Sequence, residues 1–342
     1  MKLTEIGEFG LIGRLTENIS YDRSRVIKGV GDDAAVLRAE DGRWVLFTTD
    51  MMVEGIHFSF NYCTARQVGK KALASNVSDI FAMGGLPTFA VVSIALPQDA
   101  AVDNVVEMYD GMKETAKVYN VNIVGGDTVK TPDRLVVNVA LLGEAEPGRV
   151  VYRSGARPGN SIFVTGPLGA AAAGLHLLQN PIPDCPPEAA GYCLKAHCEP
   201  APNSSAGRIL AGCGASAMED VSDGLVSEMY QICGASGVGC RIRAADVPID
   251  PRVRAVAGCA GIDPLEWALF GGEDYELVFT AQPQAEEEIR QALDSAGICI
   301  RRVGEINPPG EGMSLIMPDG RITALPRGGH DHFKVAPARQ RL

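Results

Sequence analysis

Apolar residues at Ile6, Phe9, Ile12, Leu15 and Ile19 recur at spacings of three and four, which predicts an amphipathic helix over Glu5 to Ser20. Trp44 to Thr49 then reads as a strand, and Ala65 to Met83 as a helix that is apolar on nearly every side. Thr88 to Leu96 reads as a buried strand and Val102 to Tyr119 as a second long helix, with Val121 to Val124 and Leu135 to Leu142 completing a βαβ-like first half. A turn-rich stretch follows, Gly143 to Gly159, with prolines at 147 and 158. Beyond it come a strand at Ser161 to Thr165, a helix at Leu168 to Leu178, helices starting near Ser204 and Asp223, and strands at Gly239 to Ile242 and Glu276 to Thr280. This alternation predicts layered α/β architecture in two domains, residues 1–147 and 148–342, and leaves the strand order open.

Composition narrows the class. An apolar content of 46% with 21% charged residues is that of a globular chain, and Phe89 to Leu96, the longest apolar run, is far below the roughly 20 residues a bilayer span requires. Glu5, Glu8, Arg14 and Glu17 interrupt any leader-like apolar region, so a cytoplasmic location is expected and no membrane association. Nine cysteines without a C-x-x-C pair argue against a disulfide framework or a four-thiolate zinc site, and buried reduced thiols are expected. A net charge of −11 without a Lys/Arg cluster speaks against a nucleic-acid partner, since phosphate backbones are held by concentrated positive charge.

The chemistry sits in a series of Asp-containing turns at the edges of apolar segments. They are Gly29-Val-Gly-Asp-Asp33, Thr48-Thr-Asp50, Asn76-Val-Ser-Asp79 within the long helix, Gly125-Gly-Asp127-Thr128, Asp220-Val-Ser-Asp223-Gly224 and Gly271-Gly-Glu273-Asp274. Each alone is ordinary turn chemistry, and Ser222 alone would serve as a helix N-cap. Their repetition carries the argument: glycine N–H groups accept an anion closely, and a neighbouring carboxylate repels that anion unless a cation lies between. Carboxylate, Mg²⁺ and phosphate together remove the conflict, and no compact calcium loop is present. Asn76 and Asp79 share one face of a helix otherwise apolar, and acids on a buried helix need partners. No P-loop, dinucleotide fingerprint, protein-kinase catalytic loop, H-E-x-x-H or G-x-S-x-G occurs, and His330-Asp-His332 reads as a metal pair or a polar tail.

The ordered motifs GDDAAV, TTDMMVEGIHF, KALASNVSDIFAMGG, GGDT, RSGARPG, VSDGL, GGEDYELVFT and Asp331-His332-Phe333 resemble the thiamine-monophosphate kinases of the aminoimidazole ribonucleotide synthetase-like superfamily. The resemblance implies a two-domain fold of that superfamily, a homodimer, and ATP-dependent phosphorylation of thiamine monophosphate at a site holding several Mg²⁺ ions. It implies magnesium ligands at Asp33, Thr48, Thr49, Asp50, Asp79, Asp127, Asp220 and Asp223, with Asp50, Asp79 and Asp127 as the catalytic core. Tyr109, Gly126, Asp127, Arg153 and Ser222 match ATP-binding positions; His57 and Glu273 match substrate contacts, and His330 stands where the family carries an aromatic residue against the substrate. Selenophosphate synthetases and the carbamoyl-dehydrating maturation enzymes are expected to carry reactive cysteines that this sequence lacks at the matching places. A silent binding module of the same fold is the reading from another class, and the intact acidic set argues against it. Pro181 to His197 matches nothing in the resemblance and is expected to be a variable surface element.

Overall fold

The structure is a computed structural model and describes residues 2–17, 19–20, 22–329 and 332–333. His330 and Asp331 lie outside the described residues. The first half contains α1 (Leu3–Leu15), β1 (Val26–Lys28), β2 (Ala35–Arg38), β3 (Trp44–Val53), α2 (Ala65–Ala82), β4 (Leu86–Pro97), α3 (Val102–Tyr119), β5 (Asn122–Thr131) and β6 (Val136–Ala145). Its strands form a six-stranded sheet in the order β1-β2-β3-β6-β4-β5, in which β4 and β5 run parallel and the other pairs antiparallel.

Helix α2 covers one face of this sheet. A capping box starts it, Thr64 accepting from Gln67 N–H and Gln67 accepting from Thr64 N–H, and its body is buried almost throughout. Helix α3 packs on α2 so closely that both contacts need glycine: a Cβ on Gly69 would sit 1.8 Å from the Met108 carbonyl, and one on Gly111 2.0 Å from that of Arg66.

The second half comprises β7 (Ser161–Val164), α4 (Ala170–Gln179), α5 (Pro187–Cys198), α6 (Ala206–Gly212), β8 (Ala217–Asp220), α7 (Leu225–Ser236), β9 (Gly239–Arg243), α8 (Pro251–Ala260), α9 (Pro264–Phe270), β10 (Leu277–Ala281), α10 (Glu286–Ser295), β11 (Arg301–Asn307), β12 (Met313–Ile316) and β13 (Ile322–Ala324). Its seven-stranded sheet has the order β13-β12-β9-β11-β7-β10-β8. The edge strand β8 faces α2 of the first half, and α6 packs on the end of α2, where a Cβ on Gly207 would lie 1.8 Å from the Phe81 carbonyl. Helix α2 is therefore the element shared by both halves.

Helices α2 and α3 occupy the expected ranges, and several other expectations change. The opening helix ends at Leu15 and breaks at Gly7, whose φ of 67° is not helical. Strand β3 runs on to Val53 because ten consecutive residues pair with β6, and β5 continues through Gly125-Gly126-Asp127 to Thr131 beside β4. Asp50 and Asp127 consequently lie within strands and not in turns. Ser222 is not a helix N-cap; Gly224 holds that position in α7, with φ 107°. The segment expected to be a variable surface element is largely α5, which starts after Pro186 and buries Ala189, Cys193, His197 and Cys198; a Cβ on Gly174 of α4 would meet the Cys193 carbonyl at 2.1 Å. All nine cysteines are free thiols. No helix among the described residues is long and apolar enough to cross a membrane.

Candidate active site

Strand alternation sorts the Thr48-Thr49-Asp50 run before any ligand is considered. Side chains of β3 point to opposite faces in turn, so Leu46, Thr48 and Met52 are buried toward α2 while Phe47, Thr49 and Met51 are exposed on the outer face. Thr48 Oγ1 donates to Asp79 Oδ2 of α2 at 2.5 Å, and the Asp50 backbone N–H donates to Asn76 Oδ1 at 3.1 Å. Thr49 Oγ1 bonds instead to Asn138 Oδ1 and the Val139 carbonyl on β6. Asp127 pairs with Ser93 of β4 in register and is exposed, so its carboxylate is not gathered with those of Asp50 and Asp79.

The inner face of the sheet meets the second domain through acids. Ser78 Oγ of α2 donates to Asp220 Oδ2 at the end of β8, at 2.5 Å. Arg153, in the connection between the domains, donates to Asp33 Oδ1 at 2.6 Å and lies 2.8 Å from Glu219 Oε1, while its backbone N–H donates to Asp32 Oδ1 at 2.7 Å. Glu228 of α7 accepts from Asp223 N–H at 2.7 Å. Asp33, Asp50, Asp79, Glu219, Asp220 and Glu228 thus share one interior with a single guanidinium, that of Arg153, among the groups that hold them.

Electrostatics record the imbalance. Burial, opposed by Arg153 and reinforced by Asp32 and Asp50, lifts Asp33 to about 6. Burial and the neighbouring Asp33 lift Asp220 to about 8, and burial with Asp50 and Asp220 beside it raises Asp79 well above the carboxylate range. Glu219 and Glu228 are raised the same way, by burial first. Burial works against the charge on Arg153, yet Asp33 and Glu219 outweigh it and hold the guanidinium more firmly protonated. Among the described residues the buried oxygens Asp33 Oδ2 and Glu219 Oε2 have no hydrogen-bond partner. Such an interior fits divalent cations: unpartnered carboxylate oxygens and mutual repulsion are relieved together by a positive ion. Among the described residues no three acids, imidazoles or thiols converge to enclose an ion unaided.

A second cluster lies along α2 from the first. Lys71 Nζ donates to Glu273 Oε2 at 2.6 Å, and His197 Nδ1 of α5 lies 3.1 Å from the same oxygen. Burial alone would raise Glu273, but Lys71 and His197 prevail and hold it at about 2. Nearer the ends of the chain, His57 accepts from Val53 N–H through Nδ1, and its ring centre lies 5.1 Å from that of His332; the His332 backbone approaches Glu8 Oε2 of α1 at 3.4 Å. Asp223 is raised to about 6 by burial and Glu8, with His332 opposing.

Of the remaining expected positions, Gly126 lies so close to β4 that a Cβ would stand 1.8 Å from the Val92 carbonyl, a packing reason for glycine independent of any ligand. Tyr109, on α3, packs against the first-domain core. Sequence reasoning missed Lys71, Glu219, Glu228, His197 and Tyr275. Glu219 had a local signal, an acid beside Asp220 in an apolar strand; Lys71 and His197 had none, since their partner is remote in sequence.

Comparison with known proteins agrees with this architecture. Residues 31–145 match the family AIR synthase related protein, N-terminal domain, and residues 157–315 its C-terminal domain. A thiamine-monophosphate kinase of Bacillus subtilis strain 168 is 38% identical over 330 residues, spanning 96% of this chain and 99% of the relative. The chain belongs to the thiamine-monophosphate kinase family. Its relative of the same name in Escherichia coli K12 is 35% identical across 96% of this chain and 98% of that protein. The structure of AaThiL complexed with AMPPCP and TMP superposes with a TM-score of 0.85 at 33% identity, covering 97% of this chain and 99% of that one. The thiamine monophosphate kinase of Aquifex aeolicus superposes at 0.79 with the same identity, over 95% and 100% of the two chains.

Proposed function

We propose that this chain phosphorylates thiamine monophosphate to thiamine diphosphate with ATP as donor, using Mg²⁺ held by the buried acids. The observation that carries the reading is the single-guanidinium acid interior between β3, α2 and β8, in a chain whose relatives of this length are thiamine-monophosphate kinases. Bound Mg²⁺ would neutralise the phosphates and the charge developing in transfer.

The protein's part is positioning. Asp33, Asp50, Asp79, Asp220 and Asp223 present carboxylates, Thr48 fixes one Asp79 oxygen by its 2.5 Å bond, and Arg153 keeps Asp33 and Glu219 aligned at the seam. No strong general base is needed, because the attacking phosphate oxygen is already ionised near neutral pH, its second pKa being about 6. Ser222 and Arg153 flank the nucleotide side, with Tyr109 and Gly126 as outer positions. His57, Glu273 and His330 belong to the thiamine side. Asp127 and Thr49 lie across the sheet, and their part in metal binding goes through β5 and β3 backbone or through the neighbouring face.

That outer face supports the homodimer. Phe47, Met51, Phe89 and Val91 are each more than 40% exposed and lie on one face of the sheet, on the strands β3 and β4 that flank β6, an apolar surface that a second copy of the same sheet would cover. A cytoplasmic site of action accords with nine unpaired thiols.

A coupled ADP-release assay with product mass identification tests the reading. Thiamine diphosphate formed from the monophosphate, and only with Mg²⁺, is the expected result. Turnover of another phosphorylated acceptor in its place would reassign the substrate, and a monomeric wild-type chain by sedimentation would remove the dimer.

A further inference from the structure

Lys71 is only 2% exposed, and a buried ammonium must have a reason to be there. Its partner, Glu273, keeps 26% of its side chain exposed, so the pair is sealed on the lysine side and open on the glutamate side. Lys71 donates to Oε2 and His197 Nδ1 lies 3.1 Å from the same oxygen; among the described residues no bond falls on Oε1. The backbone is held as tightly as the side chain. Glu273 and Tyr275 adopt φ of 69° and 52°, left-handed conformations that are strained in side-chain-bearing residues. Two clips oppose that strain: Glu273 N–H donates to the Ser222 carbonyl at 2.8 Å and Tyr275 N–H to that of Val221 at 3.0 Å. Gly272 permits the approach, since a Cβ there would lie 2.2 Å from the Ser222 carbonyl.

We infer that Lys71, assisted by His197, is a positioning and specificity residue: it locks Glu273 through one oxygen so that the other, Oε1, meets the organic end of the acceptor. The group recognised is an amino-bearing or cationic heteroaromatic ring, which a fixed carboxylate oxygen distinguishes from a neutral ring lacking a donor. Lys71 acts through Glu273 and touches no substrate. The inference rests on the reading that Glu273 faces thiamine monophosphate.

A double-mutant cycle with Lys71→Met and Glu273→Gln, read as KM for thiamine monophosphate and KM for ATP, tests it. Each single variant is expected to raise the acceptor KM by about tenfold or more while leaving the ATP KM within about twofold, and the double variant to be no worse than either single. A general loss of fold would move both KM values together. Lys71→Gln, which retains a donor without the charge, is expected to fall between wild type and Lys71→Met and replaces it should that variant not fold. An unchanged acceptor KM in Glu273→Gln overturns the assignment of Glu273 to the substrate. A raised KM in Glu273→Gln with an unchanged one in the lysine variants, or additive effects in the cycle, overturns the role of Lys71 alone.

Discussion

Lys71 and Asp79 lie about 12 Å apart along α2, on the same well-buried helix, yet their surroundings are opposites. Around Asp79 gather Asp33, Asp50 and Asp220, and the carboxyls repel one another into a raised titration range. Around Lys71 a single carboxylate accepts from the ammonium with an imidazole nitrogen 3.1 Å away, and is held at about 2. One region holds more carboxylates than Arg153 can balance, and in the other one carboxylate is matched by one ammonium. The difference teaches what each awaits: the acid end is finished by cations and phosphate, and the lysine end by an organic group that needs one fixed acceptor.

Removing an acid should therefore divide activity from stability more sharply than any other change. Asp79→Asn deletes a charge that the folded protein disfavours, so thermal stability measured in chelator should hold or rise. Turnover should fall by about a thousandfold or more, because the carboxylate is needed once the cation is bound. A variant that keeps wild-type turnover would place Asp79 outside the metal core and erase the contrast between the two ends of α2.

The two regions also carry opposite pH dependence. Burial lifts Asp220 to about 8 and Asp33 to about 6 from the usual 3.8, so the folded state binds more protons than the unfolded chain across that window and stability falls as pH rises through it. Glu273, lowered to about 2 from 4.5, contributes stability that is present above 4.5 and lost as pH falls toward 2. Between about pH 5.5 and 8.5 Asp33 and Asp220 contribute a slope and Glu273 does not. The melting temperature in chelator is expected to drop by several degrees over that range, and Mg²⁺ with nucleotide to flatten the slope by favouring the ionised carboxylates. A flat profile in chelator would mean that the acid interior is already balanced.

Much of this was legible in the chain. The periodicity of α2 and α3 set their ranges, and the series of short Asp-containing segments at the edges of apolar runs marked Asp33, Asp50, Asp79 and Asp220, which the structure brings to one interior. What stayed hidden depends on pairing between distant segments. Lys71 and Glu273 are 202 positions apart, and no local pattern announces such a contact. The burial of α5 was concealed by proline and cysteine, which read as surface turn chemistry until Gly174 is seen to admit the Cys193 carbonyl. The faces of β3 were a different case: the alternation was present in the sequence, but ending the strand at Thr49 obscured it.

That alternation supplies the smallest and most local test. Thr48 and Thr49 are adjacent and chemically identical, and both match metal positions, yet only the Thr48 hydroxyl reaches Asp79 and the Asp33 carbonyl. Thr48→Val keeps the shape and removes both bonds, with an expected drop in kcat of about tenfold, in line with about 1–2 kcal/mol for a buried bond to a charged group. Thr49→Val removes only bonds to β6 on the outer face, so kcat should stay within about twofold. Equal losses in the two variants would show that the outer face takes part in the chemistry through its side chains, and Asp127, on that same face, would then rejoin Asp50 and Asp79 at the metal.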